Sequence, residues 1–312
     1  MSAPATPTFI LPADAAGIME AAALIRAGQP VAVPTETVYG LAADAADGGA
    51  VARISEAKGR PSFNPLSVHV LGMAEAETIA IFDDRARALA ERFWPGPLTL
   101  VLPLRANAPI ALLVTAGLPT VAIRAAAHPI MRALLAATGR PLAAPSANAS
   151  GRISPTRAVH VLASLRGRIP LVLDGGATEH GLESTIVAVR EDRVDLLRPG
   201  PIPADALGAH VEPRAGIEAP GQLASHYAPT KPLRLNATEA RPGEWLIGFG
   251  RVAGDATLSA CGDLTEAAAR LFDRLHEAEA APAPRIAITP ITVEGLGAAI
   301  NDRLQRAAAP RA

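Results

Sequence analysis

The sequence predicts an α/β chain in two units, a larger one whose sheet is antiparallel in part and a smaller one after it. Three observations carry that expectation. Short apolar runs alternate with amphipathic stretches from Asp14 to Ile202, the interleaving of a sheet covered by helices. Two of those runs, Thr185–Val189 and Val194–Leu197, are parted by only a short turn, which suits antiparallel neighbours. Beyond them a stretch without period leads into a second set of strands and helices. The expected division is 1–211, a connecting segment 212–231, and 232–312.

Taken in order, Asp14–Ala27 reads as a helix, with Asp14 as its N-cap and Gly28 just past its end. Pro30–Pro34 is an apolar run too short for a helix and long enough for a buried strand. Helical patterns recur at Gly49–Lys58, Asp83–Phe93, Pro129–Thr138 and Pro155–Leu165. Strand-like runs fall at Leu66–Leu71, Leu98–Leu104, Thr120–Arg124 and Pro170–Leu173, besides the two already named. In the second unit Leu233–Asn236, Trp245–Phe249 and Arg285–Thr289 read as strands, and Leu264–Ala281 and Val293–Ala308 as helices. Glu212–Lys231 is long for a connection, and loops beyond ~12–15 residues are usually lids, binding segments or disorder. It holds His226-Tyr227, which points to a lid.

Composition narrows the function. The 312 residues carry 29 Lys+Arg against 30 Asp+Glu, a net charge of −1, so a broadly basic nucleic-acid binder is not expected. Hydrophobic residues make up 49% and charged residues 19%, enough apolar surface for a sizeable core. The single cysteine, Cys261, excludes a disulfide framework and a cysteine zinc site and fits a reducing compartment. The seven histidines show no metal-binding spacing. No Lys or Arg precedes Arg26, and the longest uncharged stretch, Ala106–Ile123, contains two prolines. A cytoplasmic protein without a membrane span is expected. Only two of the 29 basic residues are lysines, and one of them, Lys58, sits in Lys58-Gly59-Arg60.

Five segments at strand ends are rich in Pro, Gly, hydroxyls and charge, where α/β folds place their sites. Pro34-Thr35-Glu36-Thr37 sets hydroxyls beside a carboxylate, as a polar small-molecule site or a capped turn would. Lys58-Gly59-Arg60-Pro61 with Asn64 puts two cations on a proline-stiffened loop suited to polyphosphate, and His69 follows as site residue or core histidine. Phe93-Trp94-Pro95-Gly96-Pro97-Leu98-Thr99 reads as an aromatic anchor and a tight turn into a strand. Ser146-Ala147-Asn148, with Ser154, precedes a helix N-terminus, a ready anion site. Gly181-Leu182-Glu183-Ser184 and Leu197-Arg198-Pro199-Gly200 end the series, with Arg198 a phosphate or carboxylate candidate. No Walker A spacing or nucleophile elbow is present.

In this order the motifs resemble the YrdC-like family of threonylcarbamoyl-adenylate synthases, over nearly the whole first 200 residues. Ser225-His226-Tyr227-Ala228-Pro229 and the second α/β unit resemble its long two-domain form. The resemblance implies a twisted mixed parallel and antiparallel sheet around a concave basic cavity, with a smaller Rossmann-like C-terminal domain. It implies that L-threonine, bicarbonate (or CO2) and ATP become L-threonylcarbamoyl-AMP and pyrophosphate. That product serves N6-threonylcarbamoyladenosine formation at position 37 of tRNAs reading ANN codons. Mg²⁺ would enter with ATP, and a downstream threonylcarbamoyl transferase complex would be the partner, with tRNA a candidate direct partner. By the same resemblance Thr35, His69, Arg124, Ala144 and Ser184 would bind L-threonine. Arg60, Asn64, Thr120, Ser146, Asn148, Ser154, Arg198 and Tyr227 would bind ATP, with Lys58 near its phosphates and Lys58 and Arg60 catalytic through charge. Family linkers often carry a Lys-Tyr pair before the His-Tyr; Gln222-Leu223-Ala224 stands there instead. The related hydrogenase-maturation carbamoyltransferases carry zinc-finger cysteines, which one Cys excludes. Double-stranded RNA binding without catalysis is the alternative, marked by salt-dependent RNA binding without ATP turnover.

Overall fold

The computed structural model describes residues 7–61, 63–211, 218–222 and 225–310, so part of the expected connecting segment lies outside the described residues. In chain order the larger unit runs β1 (Phe9–Pro12), α1 (Ala15–Arg26), β2 (Val31–Val33), β3 (Gly40–Asp44), α2 (Gly48–Lys58), β4 (Ser67–His69), α3 (Met73–Ile79), α4 (Asp84–Phe93) and β5 (Leu98–Pro103). It continues through α5 (Leu112–Thr115), β6 (Thr120–Arg124), α6 (Pro129–Thr138), β7 (Leu142–Ala143), α7 (Ala158–Leu165), β8 (Leu171–Asp174), β9 (Thr185–Val189), β10 (Val194–Arg198) and β11 (Ala209–His210). The smaller unit holds β12 (Leu233–Arg234), β13 (Glu244–Gly248), β14 (Ala256–Thr257), α8 (Leu264–Ala280), β15 (Arg285–Ile288) and α9 (Leu296–Ala308).

Helix starts follow local chemistry. Asp14, Asp47, Asp83 and Asp263 accept backbone N–H groups at the first turns of α1, α2, α4 and α8. Pro129 opens α6, and α2 stops at Gly59, whose φ of 60° ends the helix in the left-handed region. Eleven strands form one sheet in the order β1-β8-β2-β3-β7-β4-β6-β5-β9-β10-β11. Pairing is mixed: β4 runs parallel to β6 and β5 to β9, whereas β5 and β6, and β9 and β10, are antiparallel. One core packs α2 and α4 against this sheet through Ile54, Leu89, Leu100 and Val187, and a second packs α1 against α6 through Ile25 and Leu134. The smaller unit is a parallel four-stranded sheet, β12-β15-β13-β14. No helix among the described residues is long and apolar enough to cross a membrane.

The structure adds elements that periodicity did not reveal. β3, read as Gly-Leu-Ala-Ala-Asp, is buried throughout and too alanine-rich to stand out as a strand. β1, β7, β11, β14, α3 and α5 are short or sit at edges, where pattern is weakest. Expected α7 begins later than Pro155, because the carbonyls of Pro155 and Thr156 already accept from Tyr39 and Thr178.

The two units share a wall. Val38, Ile153 and Leu182 of the first unit pack in the same cluster as Leu271, Phe272 and Ile300 of the second. Gly181, at φ +66°, lies so close to α8 that a Cβ there would stand 2.4 Å from the Ala269 carbonyl oxygen. Arg157 on the first unit pairs with Asp273 of α8 at 2.7 Å, and His160 stacks on His276 with ring centroids 3.9 Å apart.

Candidate active site

Strand ends and loops converge on one small cavity of ≈ 60 Å³, lined by Thr35, Thr37, Arg60, Ser67, His69, Thr99, Arg124, Ala144, Ser146, Glu183, Ser184, Arg198, Gly221, His226 and Tyr227 among others. Its shape follows from the mixed sheet. β4 and β6 run parallel, so His69 and Arg124 sit in register at the same sheet end, and β9 and β10 bring Ser184 and Arg198 to it from the other side.

One end is built on Arg124. Its guanidinium donates to Glu36 at 2.5 Å, to the Thr37 hydroxyl at 3.0 Å and to the Gly96 carbonyl at 3.1 Å. Both members of the ion pair are almost wholly buried. Glu36 also accepts from the His128 backbone N–H, and although burial alone would raise its pKa, the Arg124 charge and these hydrogen bonds hold it down at about 2. The Thr35 hydroxyl donates to the Val38 carbonyl at 2.6 Å and accepts backbone N–H groups of Thr37 and Val38, which folds the loop tightly around it. His69 is buried; burial, then the Arg124 charge, push its pKa down to about 3, so it is neutral, and its Nδ1 has no partner. Hydroxyls, a neutral imidazole and a pre-paired guanidinium form this end.

The other end is cationic. Arg60 donates to the carbonyls of Asn64 and Pro65, and its Nε has no partner. Arg198 donates to the Ser184 carbonyl and hydroxyl, both at 3.0 Å, and the Ser184 hydroxyl is shared with Thr99 at 2.7 Å. Lys58 reaches the carbonyls of Ser146 and Asn148 and thereby clasps that loop onto the end of α2. Among the described residues no carboxylate lies within salt-bridge distance of Lys58, Arg60 or Arg198. Burial lowers the pKa of all three, to about 10 for Arg60 and well below its ordinary value for Lys58, where the Arg60 charge adds to the effect.

Every residue expected at the site is close by except one. Thr35, His69, Arg124, Ala144, Ser184, Arg60, Ser146, Arg198 and Tyr227 line the cavity. Lys58, Asn64, Asn148 and Ser154 are buried behind its wall, and Asn64 keeps both side-chain polar atoms without a partner. Lys58 thus holds the loop rather than facing the cavity. Thr120 stands apart: it opens β6 while Arg124 ends it, roughly 13 Å of strand away, and it lines a separate depression with Arg190 and Arg193. The N-terminus of α7, expected as an anion site, faces Asp273 of the second unit instead.

The connecting segment reaches the same cavity. Its described part is folded into the site: Tyr227, at φ +62°, has no exposed surface and packs against Phe272. Its hydroxyl has no partner, and Gly221 passes so close that a Cβ there would meet it at 2.7 Å. Gln222, where the resembling linkers carry a cation, accepts the backbone N–H groups of Glu218 and Ala219 and closes a turn. Leu223 and Ala224 lie outside the described residues. Sequence reasoning read Gly96 and Thr99 as parts of a tight turn only, yet both reach the site; the signal was their place at the start of β5, a strand end like the others. Glu183 was seen in its motif but given no role.

Comparison with known proteins agrees with this geometry. The Sua5/YciO/YrdC family model, described as telomere recombination, matches residues 23–200, and the threonylcarbamoyl-AMP synthase C-terminal domain matches 202–309. Threonylcarbamoyl-AMP synthase of Bacillus subtilis is 41% identical over 94% of this chain and 93% of its own length. The enzyme of that name from Pyrococcus abyssi is 38% identical over 93% and 94%. The crystal structure of Pyrococcus abyssi Sua5 complexed with L-threonine superposes with a TM-score of 0.86 at 36% identity, covering 97% of each chain. Escherichia coli YciO, at 20% identity and a TM-score of 0.56, shares the fold over 65% of this chain. With the two family models matched over 23–200 and 202–309 and the solved Sua5 structure superposing over 97% of the chain, this chain belongs to the Sua5/YciO/YrdC family, in the form that carries the Sua5 C-terminal domain.

Proposed function

We propose that this protein is an L-threonylcarbamoyladenylate synthase, joining L-threonine, bicarbonate (or CO2) and ATP into L-threonylcarbamoyl-AMP with release of pyrophosphate. The observation that carries the reading is the division of the cavity. A charge-balanced end of hydroxyls and a paired arginine meets an end of buried cations that, among the described residues, no carboxylate meets at salt-bridge distance. A zwitterion suits the first and a triphosphate the second.

In this reading Arg124 keeps two N–H groups for the threonine carboxylate, while Thr35, Ser184 and neutral His69 meet its hydroxyl and amine. The amine nitrogen attacks the carbon of CO2 and loses a proton, giving a carbamate. A carbamate oxygen then attacks the α-phosphorus, and pyrophosphate leaves. Arg60 and Arg198 hold the phosphates and take up charge as it develops, and Lys58 keeps the Ser146–Asn148 loop in place behind them. Asn64 and Asn148, each with an unpartnered side-chain oxygen, stand ready for the nucleotide. Among the described residues Glu183 is the sole carboxylate lining the cavity, and it is held by Arg303 and Ser154. This donor set fits Mg²⁺ carried on the phosphates with its waters, better than a cage of protein carboxylates.

The cavity as it stands is far below the ~300–1,000 Å³ of ordinary ligand pockets. ATP therefore enters as Pro220, Gly221, His226 and Tyr227 withdraw, and their return shields the carbamate from water. We place the reaction in the cytoplasm, feeding a threonylcarbamoyl transferase that modifies tRNA. RNA docking without catalysis is disfavoured, since the free cations are buried rather than displayed: Lys58 is 3% exposed, Arg60 8% and Arg198 7%. The test is pyrophosphate release by the purified protein. It should require both L-threonine and bicarbonate; equal turnover without threonine, or ADP as product, would overturn the reading.

A further inference from the structure

Among the described residues none of the second unit lines the cavity, yet α9 presses one side chain against its back wall. Arg303 has no exposed surface. Its Nε donates to Glu183 Oε2 at 2.7 Å, and its Nη1 donates to the Pro199 carbonyl at 2.9 Å and to Asp302 at 2.7 Å. The other Glu183 oxygen accepts the Ser154 hydroxyl. The guanidinium carbon lies over the Tyr227 ring, 5.2 Å from its centroid. One side chain thus meets three separate pieces of wall: the loop bearing Glu183 and Ser184, the turn after Arg198, and the connecting segment.

Stability alone does not ask for this arrangement. A buried ion pair is often no better than apolar residues of the same volume, because desolvation offsets the attraction. What a guanidinium adds is a rigid planar fork that fixes several acceptors at once. Two of these pieces, the turn after Arg198 and the connecting segment, belong to the nucleotide side, and the third holds Glu183 beside Ser184, where the two ends of the cavity meet. Thr35, Thr37, His69 and Arg124, on the threonine side, have no contact with it.

We propose that Arg303 is a positioning residue for ATP: it sets Glu183, through it the Ser154 hydroxyl, and it supports Tyr227, so the second unit shapes the nucleotide pocket from behind. The proposal rests on reading the cavity's cationic end as that pocket. It gives the C-terminal unit a role in the reaction without any contact between that unit and substrate.

Two variants test it by pyrophosphate release, with thermal unfolding measured alongside. Arg303→Lys keeps the charge but loses the fork and the flat face. Arg303→Met combined with Glu183→Gln removes both buried charges together, so neither is stranded. In Arg303→Lys the KM for ATP should rise about tenfold or more, with the KM for L-threonine within about twofold of the parent. The double variant should unfold near the parent temperature yet keep a raised KM for ATP, because Arg303 then no longer fixes residue 183 or supports Tyr227. The proposal is overturned if both variants fold with an unchanged KM for ATP. It is equally overturned if both KM values rise in step with lost stability, or if both chains fail to fold, since Arg303 would then serve the fold alone. Arg198→Ala in the same assay separates the two readings. If it too leaves the KM for ATP unchanged, the pocket assignment has failed; if it raises it while Arg303→Lys does not, only the role of Arg303 has.

Discussion

The two ends of the cavity solve the problem of buried charge in opposite ways. At the Arg124 end the cation is matched inside the protein, with Glu36 at 2.5 Å and hydroxyl and carbonyl acceptors around it. At the Arg60–Arg198 end the cations are equally buried but, among the described residues, donate only to neutral acceptors. Folding gains nothing from holding unmatched charges out of water, and their pKa values are pressed down accordingly. The contrast teaches which ligand each end awaits. A balanced end loses nothing when a net-neutral amino acid enters, and an unbalanced end is completed by a polyanion. Arg303 belongs to the first type, matched by Glu183 and Asp302, which suits a support rather than a ligand contact.

Breaking the balance at the first end should have the largest effect. Glu36→Ala strands Arg124, and removing one partner of a buried pair costs about 3–5 kcal/mol. Chemical denaturation should show that loss, together with a raised KM for L-threonine. A fully stable Glu36→Ala protein would mean that Arg124 is not held as described.

At the second end the expected loss is in turnover, not folding. Arg60→Ala and Arg198→Ala should each lower kcat/KM for ATP by the ~2.7–4 kcal/mol typical of a charge-stabilising donor. Both proteins should still fold. Near-parental kinetics would remove these cations from the reaction.

Tyr227 tests the connecting segment between the two ends. A freely moving cover could lose its ring without cost, but this ring is buried against Phe272 and Arg303. Tyr227→Ala should therefore weaken both nucleotide binding and the ligand-free protein, by roughly 3 kcal/mol if it behaves as a core aromatic. Unchanged thermal stability would return the segment to the status of a loose lid.

The smallest effect concerns pH. Burial holds His69 and His160 at about 3 and His276 at about 4. Between pH 6.5 and those values the unfolded chain takes up protons that the folded protein refuses, so stability is complete above about 6.5 and falls as pH drops through that window. The Glu36 contribution is lost lower, between 4.5 and about 2. His160 faces His276, Asp273, Arg157 and Thr156 where the two units meet. His160→Gln should flatten the stability profile between pH 4 and 6.5; an unchanged slope would place the titration elsewhere.

Much of this was legible from residues alone, for physical reasons that can be named. α1, α4, α6 and α8 announced themselves by caps and amphipathic faces, and β5, β6 and β9 by apolar runs of five or six residues. β3 and β7 did not, because alanine-rich buried strands carry neither period nor β-branched signal. Loop chemistry at strand ends pointed to Thr35, Arg60, Ser146 and Arg198, and the structure brings them to one cavity. Contacts across long separations stayed hidden: Arg303 meets Glu183 120 residues away, and no local pattern encodes that. Thr120 came from the resemblance alone, and it stands at the opposite end of β6 from Arg124.

The difference between the two ends is most directly tested by titrating pyrophosphate and, separately, L-threonine into the ligand-free protein by calorimetry at low and high salt. Unmatched cations should bind pyrophosphate without any adenosine attached, and added salt should weaken that binding as its anions compete. L-Threonine, net neutral and entering a balanced end, should bind with an affinity that salt leaves nearly unchanged. Pyrophosphate that fails to bind, or two ligands with the same salt dependence, would contradict the account.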